Sequence, residues 1–319
     1  MDDGGKLVSQ QGNRRCRKMS RVRTFCVSAC HPRQRSASNR PSVPYLLPPP
    51  PPPQDVTDRR FPLAWDRAAL DRAQAVCEVL EPTVAAERAA KLRRAADART
   101  FNVTAVLEGL SDPGNVAAVL RTSEALGLGS VHVVNAQASE KKQASRSSAG
   151  AEKWLQVNRW ESTRNCLERL KQDGFLLLAA DARAATPLDQ LEFNQPIAFV
   201  LGHEHRGVSE DVLQWTDGRV AVRMDGLVES LNVSVAAALL LGRARDVRMA
   251  ASCYSDLLQE QRDVLYAEYL LRHCASRHGT EGVKSILRRR GVLEPAFARL
   301  DEATCQSRDW DTDVTTAKQ

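Results

Sequence analysis

Between residues 103 and 222 the chain alternates short apolar runs with helical stretches, and this rhythm narrows the available folds more than any other feature of the sequence. Apolar runs occupy 103–108, 131–134, 175–179, 197–200 and 220–222, while helical patterns cover stretches such as 164–171 and 209–215. Continuous apolar runs of this length read as strands buried on both faces. Strands that alternate with helices make a parallel sheet covered by helices on either side, so an α/β fold is expected.

Composition removes several classes. The chain has 319 residues, 43% of them hydrophobic, which is enough for a substantial core. Its longest apolar stretch, 233–242, falls well short of the roughly 20 residues of a membrane span, so no membrane association is expected. A net charge of +6 suits a polyanionic partner. None of the eight cysteines forms a C-x-x-C pair. Cys26, Cys30 and His31 resemble half a metal site without its other half, so no metal is expected and free thiols in a reducing compartment are the default.

Residues 1–58 do not read as domain material. Arg, Ser and Pro dominate, Pro48 to Pro53 is an unbroken polyproline II run, and no acidic residue occurs between Lys6 and Arg40. This is the composition of a transit peptide, implying a chloroplast or mitochondrion, with a cytoplasmic location otherwise. A start at Met19 would remove the uncharacteristic Asp2 and Asp3. Residues 59–100 turn helical: Leu70, Ala73, Cys77 and Leu80 share a face, Pro82 ends that helix, and a second begins near Thr83. The second carries Arg88, Lys91, Arg93, Arg94 and Arg99, a basic surface that reads either as an ordinary solvated face or as an RNA contact. After Arg248 the chain is again mainly helical, with 257–271 amphipathic, Arg288 to Arg290 a basic turn, and a polar tail.

Three strand-to-loop transitions carry the chemistry. After 103–108 comes Gly109-Leu-Ser-Asp-Pro-Gly-Asn115, then a helix over 116–126 bearing Arg121. After 197–201 comes Gly202-His-Glu-His-Arg-Gly207. After 220–222 comes a loop through Met224, Asp225 and Gly226 to Ser230, placed as the N-cap of the small-residue helix that begins at Val233. A helix end facing such a loop offers unpaired N–H groups to a ligand.

At these residues the sequence resembles the SPOUT superfamily of RNA methyltransferases, in its TrmH-like branch of tRNA ribose 2'-O-methyltransferases. That branch has an Asn six residues before an Arg, a Gly-x-Glu-x-x-Gly loop, and a Met-x-Gly-x-x-x-Ser-Leu-Asn-Val-Ser segment. Here these are Asn115 with Arg121, then Gly202 with Glu204 and Gly207, then 224–234, in family order. The likeness spans 86–248 and departs from the common pattern at Gly114, Arg223 and Glu229, where His, Pro and Gln are frequent.

The resemblance implies a SPOUT (alpha/beta-knot) fold over 101–248, with a parallel sheet and a C-terminal trefoil knot. Helical extensions would flank it at 59–100, binding RNA, and at 249–319. It implies S-adenosylmethionine as cofactor, held largely by main chain at Ala180, Leu201, Gly202, Val222, Met224 and Leu231. The catalytic set would be Arg121, Asn115, Glu204, Ser230 and Asn232, with Arg88, Lys91, Arg94 and Arg99 on RNA. It further implies a homodimer, a tRNA substrate reaching across both subunits, and methylation of the D-loop guanosine at tRNA position 18. A guanidinium does not give up its proton, so Arg121 reads as a fixed charge that orients phosphate and stabilises a developing alkoxide.

Other readings compete. A surface ion pair between Arg121 and Glu124 would make Arg121 ordinary. A nicotinamide enzyme fails on context: Gly127-Leu-Gly129 lacks the third glycine and precedes a strand. A ribosomal RNA 2'-O-methyltransferase and a noncatalytic RNA-binding protein of the same fold are the remaining alternatives. Arg121, Glu204, Ser230 and Asn232 together argue against the second. The run Ser148-Ala-Gly-Ala-Glu-Lys-Trp154 resembles the tRNA branch.

Overall fold

In the computed structural model all described strands run parallel, and their order explains where the motif loops meet. The structure describes residues 60–63, 66–134, 148, 150–184, 186–191, 195–251, 256–292 and 307–309. The N-terminal extension, with its proline run and Cys26, Cys30 and His31, lies outside them, as does the tail after Trp310.

The strands are β1 (Val103–Glu108), β2 (Ser130–Val134), β3 (Gln156–Trp160), β4 (Leu176–Ala180), β5 (Ile197–Leu201), β6 (Gly218–Val220) and β7 (Ser307–Asp309), in spatial order β6-β4-β5-β1-β2-β3-β7. β1 sits between β2 and β5, with Val103 opposite Ile197 and Leu107 opposite Leu201. From β1 the chain builds outward through β2 and β3, then crosses to the other side to lay down β4 and β5. Strand order therefore reverses at the β1/β5 boundary, where α/β sheets bind ligands beyond the carboxyl ends of the strands.

Side chains on these strands alternate between two cores, as the pleat requires. Val103, Ala105, Leu107, Ile197, Phe199 and Leu201 face one core, completed by helices α3 (Pro113–Ala125) and α6 (Val233–Ala250). Val106, Leu177, Ala179, Ala198 and Val200 face the other, closed by α4 (Thr163–Gln172) and α5 (Glu210–Trp215).

A third core holds α1 (Arg67–Leu80), α2 (Ala86–Asp97), α7 (Gln259–His278) and α8 (Thr280–Arg289). The segments before and after the sheet, separate in sequence, thus pack as one helical unit. Its contact with the sheet layer includes Phe101, which stacks edge-on with Phe61 at 5.4 Å and sits where a Cβ on Gly129 would have to go. The second glycine of Gly127-Leu-Gly129 therefore serves packing. Cys77, Cys166 and Cys274 are free thiols, and no helix among the described residues is long and apolar enough to cross a membrane.

One local expectation needs correction, and two further features were not expected. The N-cap of α6 is Asn232, whose side chain accepts from Ser234 N at 2.8 Å, and not Ser230. β3 was not anticipated, because Gln156, Asn158 and Arg159 interrupt its apolar pattern. Gln156 and Asn158 lie with His132 and Trp160 around a small polar pocket, which is why polar residues belong in that strand. The last helical segment also divides in two at Gly279, which has φ +74°.

Candidate active site

The loops after β1 and β5 are fastened to each other by one carboxylate. After β5 the chain turns through Gly202 to Gly207, and the spacing of the two glycines has a steric cause. A Cβ on Gly202 would collide with the Gly207 carbonyl and Val208 N, while Gly207 itself takes φ +69°. This closure, with Gly207 N donating to His203 O at 2.8 Å, holds Glu204 at the turn.

Glu204 then accepts four hydrogen bonds from the β1 side. Ser111 N and Ser111 Oγ donate to Oε2 at 3.1 and 3.0 Å, while Asp112 N and Asn115 Nδ2 donate to Oε1 at 3.3 and 3.0 Å. Asn115 is buried, and its own Oδ1 accepts from Asn232 Nδ2 at 3.1 Å. Asn232 in turn caps α6. The three motifs are thus joined by one chain, Glu204 to Asn115 to Asn232, in which each amide uses both its ends. Burial alone would raise the Glu204 carboxyl, but the bonds from Asn115 and from backbone N–H groups outweigh it and hold the group down at about 2. A carboxylate so held is a clamp and a poor proton acceptor.

Beside the clamp lies a cavity of about 890 Å³, within the roughly 300–1,000 Å³ of small-molecule sites. Ala180, Gly202, Val222, Met224 and Leu231 line it, as do Glu204, Ser230 and Asn232. Leu201 does not: its side chain is 1% exposed and belongs to the sheet core, leaving only its main chain for a ligand. The apolar wall of Val222, Met224, Leu231 and Ala236 suits a purine ring. The charged rim, where Arg183 pairs with Asp181 at 3.3 Å beside Arg206 and His205, suits the zwitterionic end of an amino acid. The residues present therefore fit S-adenosylmethionine.

Arg121 lies elsewhere. Asn115 and Arg121 are six positions apart on α3, about 9 Å along the axis and about 120° around it. Asn115 turns to the clamp, while Arg121, exposed, lines a second cavity with Arg88, Lys91, Arg99, Glu124, Trp154 and Tyr269. It makes no ion pair with Glu124, which pairs with Arg99 at 3.5 Å.

That contact also corrects the reading of Arg99 as a surface RNA ligand. Arg99 is 1% exposed, donates to Leu128 O at 2.7 Å and stacks on Tyr269. It ties α2's end to the sheet. Lys91 and Arg94 are exposed and Arg88 is half-buried, while Arg93 is engaged by Asp97 and Asp263.

One positioning residue escaped the sequence. Glu108, at the end of β1, is buried and accepts from Thr163 Oγ1 at 2.8 Å, Ser209 Oγ at 2.6 Å and Ser209 N at 3.0 Å. It fixes the far end of the Glu204 loop. A charged residue closing an otherwise apolar strand was the available signal.

The fold and site define a parallel α/β protein with a small-molecule cavity at the reversal of strand order and a cationic cavity on the next turns of one helix. Residues 102–242 match the SpoU rRNA Methylase family. A tRNA (guanosine(18)-2'-O)-methyltransferase from Thermus thermophilus is 34% identical over 157 residues, covering 49% of this chain and 80% of that enzyme. The enzyme of the same name from Escherichia coli is 28% identical over 215 residues, covering 67% and 91% respectively. Among solved structures, the A. aeolicus TrmH/SpoU tRNA modifying enzyme overlays with a TM-score of 0.49 at 22% identity, over 64% of this chain and 94% of that one. The chain belongs to the SpoU methylase family, in its TrmH-like branch of tRNA 2'-O-methyltransferases.

Proposed function

We propose that this protein methylates the ribose 2'-hydroxyl of guanosine 18 in the D-loop of tRNA, with S-adenosylmethionine as donor. The observation that carries the reading is the Glu204–Asn115–Asn232 chain, which joins all three family motifs at the edge of a cavity fitting that cofactor. The guanosine-18 assignment draws support from relatives of that name, matched over most of their length.

When bound, the cofactor supplies a methyl group activated by positive sulfur; the rest of the catalytic task falls to side chains. Val222, Met224 and Leu231 would hold the apolar part, and main chain at Ala180 and Gly202 on the cavity wall, with that of Leu201 next to Gly202, would meet the polar edges. Ser230, on the cavity wall with no side-chain bond among the described residues, is placed to contact ligand or ribose. Asn115, Glu204 and Asn232 act by fixing the loops. Arg121 supplies the positive charge that stabilises the alkoxide as it forms, and the proton passes to phosphate oxygen or water.

The site is completed in a homodimer, on this reading. Val235 and Leu239, one turn apart on α6, are 47% and 44% exposed, and Leu227 and Val228 in the loop before that helix are more so. Such a run of exposed apolar groups fits a second copy. Asp substitutions at both Val235 and Leu239 are expected to give a monomer by light scattering, without methyl transfer; a persistent dimer would refute this interface. The return of α6 onto β1 and β5 after the 221–232 loop supports a trefoil knot built from that loop and the Gly202 loop. The acid-poor stretch from Lys6 to Arg40 supports an organellar destination.

The deciding experiment is methyl transfer from labelled S-adenosylmethionine to tRNA transcripts carrying guanosine or another base at position 18, followed by mapping of the product. Incorporation confined to the guanosine-18 ribose is expected. Methylation only of ribosomal RNA, or of another tRNA position, would overturn the substrate and leave the reaction class.

A further inference from the structure

Three carboxylates line the cofactor cavity, and two of them are already used. Glu204 is filled by the four donors of the clamp. Asp181 accepts from Arg183 N and Nε at 3.0 and 3.3 Å and lies 3.6 Å from Arg219 Nη1. These bonds, the backbone one foremost, hold its carboxyl below the usual range. The third carboxylate, Glu229, forms no hydrogen bond or ion pair among the described residues, although it stands in the motif loop directly before Ser230. It is exposed, so water satisfies it in the free protein, and a ligand that displaces that water must bring donors of its own.

The cavity also has room for more than the cofactor. Its 890 Å³ lies near the top of the range for a single small molecule. Methyl transfer needs the ribose oxygen about 3–3.5 Å from the methyl group, so the base attached to that ribose lies at the same opening. The cofactor's charged end is matched by the Arg183–Asp181 rim and its purine by the apolar wall, neither of which uses Glu229. Of the four RNA bases, guanine alone presents two adjacent donors, N1–H and N2–H, on its Watson–Crick edge. A carboxylate spans both, one oxygen to each. Adenine and cytosine set a ring-nitrogen acceptor beside their amino group, and uracil sets one N–H between two carbonyls, so each turns lone pairs toward a carboxylate. The Gln frequent at this position in the family offers one acceptor where Glu229 offers two.

We propose that Glu229 is a specificity-determining residue for the nucleotide to be methylated, its carboxylate accepting from N1–H and N2–H of the target guanine beside the cofactor. The proposal rests on the reading above that guanosine is methylated, and it adds the group that recognises the base. Choice of base is then separate from Arg121, which serves the ribose oxygen whatever base is attached.

The test uses the full chain and tRNAs assembled with guanosine or inosine at position 18, since inosine keeps N1–H and lacks the N2 amino group. kcat/KM is measured for each tRNA by methyl transfer, and S-adenosylmethionine affinity by calorimetry. Wild type should favour guanosine about tenfold or more, the worth of one bond to a charged acceptor. Glu229→Ala should lose that margin with cofactor affinity unchanged, and Glu229→Gln should fall between. Any effect of inosine on the folding of the tRNA is common to both proteins and cancels between them. The same preference in Glu229→Ala as in wild type would overturn the proposal. So would a wild type indifferent to inosine, or a cofactor affinity that falls in step with the rate. Methylation mapped to a base other than guanosine would fell the parent reading and this one together, whereas guanosine methylation with an unaltered preference would fell this one alone.

Discussion

Arg121→Ala is expected to lower turnover about a hundredfold or more while S-adenosylmethionine still binds with unchanged affinity. The separation follows from α3. Asn115 reaches the clamp beside the cofactor cavity, whereas Arg121 lines the cationic cavity and makes no contact with the clamp. Its charge matters most when the 2'-oxygen becomes negative, so its loss should appear in kcat more than in KM. Arg121→Lys keeps the charge but loses the planar fork, and should fall between the two. Calorimetry alongside single-turnover kinetics checks this. Equal losses of cofactor affinity and rate would make Arg121 a structural residue.

Glu204→Gln should be the most damaging conservative change in the molecule. All four groups bonded to the carboxylate donate in the wild type, so an amide NH₂ in place of either oxygen faces donors. Losing charge-assisted bonds of this kind costs about 1.5–3 kcal/mol, and the loops around the cavity should loosen with a fall in cofactor affinity. The pH dependence has a definite sign. The folded carboxyl sits at about 2, below its ordinary 4.5, so its stabilisation is complete above 4.5 and fades as pH falls through 2. Urea midpoints should therefore differ between wild type and variant at neutral pH and converge toward pH 2. Identical midpoints at neutral pH would show that the clamp contributes nothing.

Much of the scaffold was legible because buried parallel strands leave unbroken apolar runs. Residues 103–108 and 197–201 emerge as strands with nearly those bounds, since both faces are covered and no polar position interrupts them. β3 was illegible for the converse reason, its Gln156 and Asn158 serving a polar pocket. The N-cap of α6 was misplaced by two residues because Ser230 and Asn232 are equally good capping types, and only the third dimension shows which one meets Ser234 N. Arg99 looked like its neighbours Lys91 and Arg94, because a helix's last turn does not announce which arginine folds inward onto Leu128 O. The motif residues were all visible, but their division between two cavities was not. Six positions on a helix is a spacing that sequence records and a 120° turn that it does not display.

The bonds from Asn115 to Glu204 and from Asn232 to Asn115 span 89 and 117 residues of chain. Contacts of such long sequence separation cannot form until β1, β5 and the start of α6 are already in place, and parallel pairing is itself a slow route. The cofactor cavity is therefore complete only where those distant segments have come together. Cofactor binding should register only chains that have completed this assembly, and partly folded intermediates should be blind to it. A ligand that binds the finished state alone draws the population toward it. For a newly made chain, the availability of methyl donor thus bears on how much protein matures as well as on how fast it works.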